Sequence, residues 1–159
     1  MAYDSQQQQP APPAQPHAAG GPSGPRATFW QRLGAALIDS LIFGVAAAVL
    51  VLGLSAVSEG AAIVAYLIVI VASIAYYVVL EGGPTGQTIG KKALDIRVYD
   101  LKQGGPIGQG RAFIRWLGRI PSGFCYLGYL WSIWDGEKQT WHDKFAGSVV
   151  VPTHAYPVE

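Results

Sequence analysis

Two long apolar runs, six residues apart, constrain this chain more than anything else in its sequence. Leu33–Leu54 is 22 residues long with one charge, Asp39, and Ala61–Leu80 is 20 residues long with none. A helix crosses the hydrocarbon core of a bilayer with about 20 apolar residues, so each run is long enough. The link SAVSEG is too short for anything but an antiparallel hairpin. Half of the 159 residues are hydrophobic and only 13% are charged, against roughly 25% charged in an ordinary soluble protein. Phe29 and Trp30 precede the first run, and Tyr76 and Tyr77 close the second, as interfacial aromatics do. The pattern predicts an all-α membrane protein built on a two-helix transmembrane hairpin.

Orientation follows from the positive charges. The link carries Glu59 and no Lys or Arg, whereas Arg26, Arg32, Lys91, Lys92, Arg97, Lys102, Arg111 and Arg115 lie on the opposite side. The positive-inside rule places the N-terminus and the 81–115 segment in the cytoplasm of a multi-pass plasma-membrane protein.

A third apolar region, 112–134, is interrupted by Arg115, Arg119 and Pro121. Its longest uncharged stretch, Ile120–Trp134, is short for a crossing and contains Gly123 and Gly128, which suits a re-entrant or interfacial segment. A full span over Phe113–Ile133, with both arginines snorkelling, is the alternative. LDIRVYD (94–100) alternates like a half-buried strand, and SVVVP (148–152) is a β-branched run. If the two pair as a short cytoplasmic sheet, Val150 lies on the same side as Arg97 and region three cannot cross once. That favours the embedded reading.

Residues 1–25 are rich in Pro, Gln, Ala and Gly, which predicts a disordered tail. The tail has no basic n-region or apolar h-region, so it does not read as a signal peptide. A membrane domain over 26–153 and a short tail over 154–159 complete the chain.

The charge in the first run asks for an explanation, because a carboxylate at the centre of a membrane helix costs roughly 2.5–3.5 kcal/mol on insertion scales. Arg32 lies seven residues away, about 10 Å along the axis, too far for close contact unless it bends inward. The expected partners of Asp39 are Arg115, Arg119, Lys91 or Lys92. Asp39 then serves either as an ion or proton site or in a buried ion pair that docks the helices.

Other constellations are weaker. GGPTGQTIGKK (82–92) is not a phosphate loop, since Thr85 stands where a glycine is needed and Lys92 where a Ser or Thr is needed. Its glycines read as a tight turn, and its lysines could hold anionic headgroups. TWHDKFAG (140–147) is too sparse for a metal, the other histidines being His17 and His154. Asp143 reads there as a helix cap or salt-bridge anchor, and Trp116, Trp131, Trp134 and Trp141 as interfacial belt residues. Cys125 with His142 lacks an orienting third group. One cysteine excludes an intrachain disulfide, and a net charge of +1 gives no nucleic-acid footprint. No catalytic group, cofactor or metal site is predicted, so the chain does not read as an enzyme.

RLGAALIDSLI, GQTIGKKALDIRVYD, GRAFIRWLGR and QTWHDKFAGSVVV, in this order, resemble the RDD family of bacterial membrane proteins over Phe29 to Val151. The family is named for one arginine and two aspartates, which fall on Arg32, Asp39 and Asp143. The resemblance implies a bacterial membrane protein and raises Asp39 as a functional residue. It also implies that Asp143 returns to the cytoplasmic face. Some members are described as Na+/H+ antiporters, so the expected function is transport of ions or small ligands. With so few membrane segments, that requires a homo-oligomer. A non-catalytic accessory or scaffold subunit of a larger membrane complex is the alternative.

Overall fold

The structure, a computed structural model, describes residues 23–123 and 127–157. Most of the N-terminal tail, Cys125 and the last two residues lie outside them. The chain runs α1 (Phe29–Ser55), α2 (Glu59–Gly82), α3 (Ile89–Ala93), β1 (Ile96–Asp100), α4 (Gly108–Gly123), α5 (Leu127–Leu130), a 3-10 turn (Trp131–Ile133), α6 (Trp141–Phe145) and β2 (Ser148–Pro152).

The hairpin forms over both apolar runs and outgrows them, because each helix has a side-chain cap. Thr28 accepts from the Gln31 amide while the Gln31 side chain accepts from the Thr28 amide, a reciprocal cap that starts α1 four residues before Leu33. Ser58 caps α2 through the Ala61 amide, so little of the six-residue link stays outside helix. Both helices are long and apolar enough to cross a membrane, and only 11% and 6% of their most apolar stretches are buried in the protein. Leu41, Val49 and Leu52 are each about two-thirds exposed or more. Leaving such side chains in water forgoes roughly 1.5–3 kcal/mol apiece, which a hydrocarbon solvent restores. The helices meet through Phe43 of α1, whose ring stands edge-on to Tyr76 of α2 at 4.8 Å and stacks on Tyr77.

The two predicted strands pair. β1 and β2 are antiparallel with Val98 opposite Val150. The strand begins at Ile96 rather than Leu94, because Asp95 adopts a left-handed conformation (φ 51°) that turns the chain out of α3. Two strands are marginal alone, so both faces must be covered. On one face Ile96, Val98 and Val150 join Ala27, Ala35, Ile107 and Ala112, and on the other Tyr99, Val149 and Val151 pack with Tyr156. The chain entering α1 is pinned to this sheet, the Ala27 amide donating to the Val150 carbonyl at 2.9 Å.

In region three the described residues form α4, α5 and the 3-10 turn, and among the described helices α1 and α2 alone are long and apolar enough to cross a membrane. α4 is an inverted amphipathic helix: Ala112, Arg115, Gly118 and Ser122 are buried, while Phe113, Ile114, Leu117 and Ile120 are exposed. The arginines that interrupt the apolar text therefore face the protein.

Candidate functional site

Three fully buried carboxylates lie at the end of the hairpin where α1 starts and α2 stops. Asp39 is 1% exposed, and Glu81 and Asp143 are 0% exposed. Each is neutralised or hydrogen-bonded in its own way.

Asp39 Oδ1 accepts from the Tyr76 hydroxyl (2.8 Å) and the Gly90 amide (2.8 Å), and its Oδ2 accepts from the Thr88 hydroxyl (2.7 Å). Tyr76 in turn accepts from the Ile89 amide at 2.9 Å, so α2 and the first turn of α3 close around the carboxylate together. Gly90 is required for this approach. A Cβ there would collide with the Ala35 carbonyl of α1 and stand 2.9 Å from Asp39 Oδ1. The turn leading in depends on Gly86 (φ 62°), whose Cβ would run into the Val98 carbonyl. The glycine-rich text 82–92 is thus a docking turn onto α1.

The sequence expects a cation beside Asp39, and here the structure differs. Lys91 donates to Glu81 Oε1 at 2.7 Å, Arg119 to the same oxygen at 2.5 Å, and Arg115 to Glu81 Oε2 at 3.0 Å. Lys92 is exposed. Among the described residues no ion pair reaches Asp39. The physical reason is that neutral donors from Tyr76, Thr88 and the α3 backbone reach both of its oxygens, and hydrogen bonds of this kind stabilise a carboxylate without a counterion beside it.

Asp143 joins the remaining signature charge to this network. Its Oδ2 accepts from Arg32 at 2.5 Å and from the Thr140 amide (3.0 Å) and hydroxyl (2.8 Å), so it both completes the capping box that Thr140 opens on α6 and serves as an ion-pair partner. Its Oδ1 pairs with Arg115, which also donates to Ser148 at 2.8 Å. One chain of ion pairs therefore runs from Arg32 through Asp143, Arg115 and Glu81 to Lys91 and Arg119, linking α1, α6, α4, α2 and α3. Four cations meet two carboxylates in it.

Burial and charge shape the titration of the groups outside the hairpin. Burial lowers the Arg115 pKa to about 10 and lowers that of Lys91, with Glu81 opposing both shifts. For Arg119 burial acts downward, but Glu81 and the Tyr77 and Tyr129 phenols outweigh it and the pKa rises. Burial, then Arg115 and Arg119, hold the His142 imidazole well below its ordinary value, so it is neutral. Its ring nitrogens lie 2.9 Å from the Thr140 hydroxyl and 3.3 Å from the Ser122 hydroxyl, which fix it as a packing group. Cys125, considered beside His142, lies outside the described residues. Among the described residues no three His, Cys, Asp or Glu side chains gather as metal ligands.

The structure thus brings Arg32, Asp143 and Arg115 together and holds Asp39 apart, on neutral donors. Sequence reasoning missed Glu81. Its signal was its position: an acidic residue directly after the second apolar run, at the end facing Lys91, Arg115 and Arg119.

A family model described as the RDD family matches residues 26–147. The chain is 38% identical over 71 residues to the proline-rich antigen homolog of Mycobacterium tuberculosis, in strains CDC 1551 / Oshkosh and H37Rv. It is 35% identical over 71 residues to the proline-rich antigen of Mycobacterium leprae. These alignments span 44% of this chain and 30%, 30% and 28% of the respective relatives. No solved structure matches significantly.

Proposed function

The chain belongs to the RDD family, and on that footing we propose that it is a non-catalytic accessory or scaffold module of the bacterial plasma membrane. The observation that carries this reading is the charge balance of the buried network. Four cations meet two carboxylates, and Asp39 already accepts three hydrogen bonds. A transported Na+ would have to displace those donors and enter a cluster already in positive excess, where Coulomb repulsion in a low dielectric opposes it. The same ion pairs tie surface elements to the hairpin, which is what a rigid docking platform for a larger membrane complex requires.

In this reading the hairpin crosses twice, with the N-terminus and the 81–115 segment in the cytoplasm, as the positive-inside rule directs. α4 lies along the interface with Phe113, Leu117 and Ile120 in the lipid and Arg115 turned into the protein. Ion transport by a homo-oligomer is the second reading. What favours it is a carboxylate inside the first membrane helix lining a cleft.

The test is cation-driven proton movement in vesicles reconstituted with the purified full chain and with Asp39→Asn, both checked for folding and insertion. The accessory reading predicts no Na+- or K+-dependent flux above empty vesicles for either. Flux in the wild type that disappears in a well-folded Asp39→Asn protein would establish the transport reading instead.

A further inference from the structure

Residues of α1, α4, α5 and α6 line a cleft of about 590 Å3, within the roughly 300–1,000 Å3 usual for small-molecule sites. Its charged lining is one-sided. Arg32, Lys91, Arg115 and Arg119 line it, with Asp39 as the one carboxylate, while Glu81 and Asp143 do not contribute to its wall. Counting Asp39, Glu81 and Asp143 against these four cations still leaves one positive charge in excess. An uncompensated charge out of water is unfavourable, so the cluster is built for a further anion. Arg119 carries the clearest opening. Its guanidinium lies 3.8 Å over the Tyr77 ring and binds Glu81 through Nη2, yet its Nη1 is buried without a hydrogen-bond partner.

The rest of the wall is mixed, with Ser40, Ser132, Thr140 and His142 on one part and apolar residues of α1 on another. Leu33 and Leu37 of α1 line the cleft and are also exposed on the surface of that helix, 36% and 61% respectively. The cleft therefore borders the exposed apolar side of α1 while its charged lining is mainly cationic. We propose that it binds an amphiphile bearing a phosphate-class oxyanion. Arginine forks complement the oxyanion, and the acyl chain runs along Leu33 and Leu37. The inference needs the hairpin to lie in a bilayer but does not depend on whether ions cross, so a cation flux would leave it standing.

The test is thermal unfolding of the full chain in neutral detergent. Titrants are short-chain phosphatidylglycerol, short-chain phosphatidylcholine and inorganic phosphate. Phosphatidylglycerol is expected to raise the melting temperature saturably, at a concentration about tenfold below that needed for inorganic phosphate, with phosphatidylcholine inactive. Equal potency of free phosphate and phosphatidylglycerol would overturn the amphiphile assignment in favour of a soluble oxyanion. Equal shifts from both lipids, or none from any titrant, would overturn the anion site itself. Arg119→Gln should abolish the shift. Should that variant fail to fold, Ala36→Trp fills the cleft from an exposed wall position without touching an ion pair. A full shift in folded Ala36→Trp protein would also overturn the proposal.

Discussion

Asp39 and Glu81 are two buried carboxylates at the same end of the same hairpin, and they are held in opposite ways. Asp39 takes three neutral donors, two of them from the turn that α3 makes against α1. Glu81 takes three cations from two other elements. The first arrangement is positional: a short, directional set of hydrogen bonds fixes where the turn docks. The second is electrostatic, because without Glu81 the inward-facing charges of α3 and α4 would be buried against one another. How an aspartate is accommodated within a long apolar helix is thus answered by hydrogen bonding, and the heavier burden falls on a glutamate at the helix end.

The comparison breaks most sharply at Glu81. Glu81→Gln keeps the shape but leaves three cations without their shared counterion; breaking a buried pair costs about 3–5 kcal/mol. We expect a collapse of the melting temperature in detergent and loss of monodisperse protein on size-exclusion chromatography. Asp39→Asn should cost less, about 1–3 kcal/mol, because it turns one acceptor into a donor facing existing donors. The folded variant should lose amide protection first around Ile89 and Gly90 in hydrogen exchange. If Asp39→Asn proves worse than Glu81→Gln, the electrostatic ranking is wrong.

Next in size comes a pH effect. His142 is neutral when folded, whereas the unfolded chain protonates it near pH 6.5. Below that value protons bind the unfolded state preferentially, so stability falls as pH falls. At pH 5.5 the loss is about 1.4 kcal/mol, and His142→Gln should flatten the profile of melting temperature between pH 7.5 and 5.5. Smallest is the Arg26–Glu137 pair at 2.5 Å, whose glutamate is half exposed. Arg26→Ala should change stability by less than about 1 kcal/mol, and less again at high salt.

What could be read in advance divides along the same line. The hairpin was legible because a span is a local property of consecutive residues, and the strands because alternation and β-branching are local too. Region three was ambiguous since a linear scan counts Arg115 and Arg119 as interruptions of an apolar run. The structure uses them as the polar face of a helix whose apolar side is outermost. Arg32, Asp39 and Asp143 were visible through family resemblance, but their partners were not. Glu81 meets Lys91, Arg115 and Arg119 from 10, 34 and 38 residues away, and no local pattern announces which of several cations will converge on one acid. Neutral donors are harder still to foresee. Tyr76 read as an interfacial aromatic, and its hydroxyl is committed to Asp39.

The most direct measurement is a double-mutant cycle between Glu81 and Lys91, followed by unfolding of the wild type, Glu81→Gln, Lys91→Met and the double variant in one detergent. If Glu81 is the counterion of a buried cation cluster, removing Lys91 relieves part of the damage caused by Glu81→Gln. The double variant should then lose less stability than the two single losses combined, with a coupling of about 1–3 kcal/mol. Strictly additive losses would contradict the account, showing that the two side chains act independently and that the network does not hold the surface elements to the hairpin.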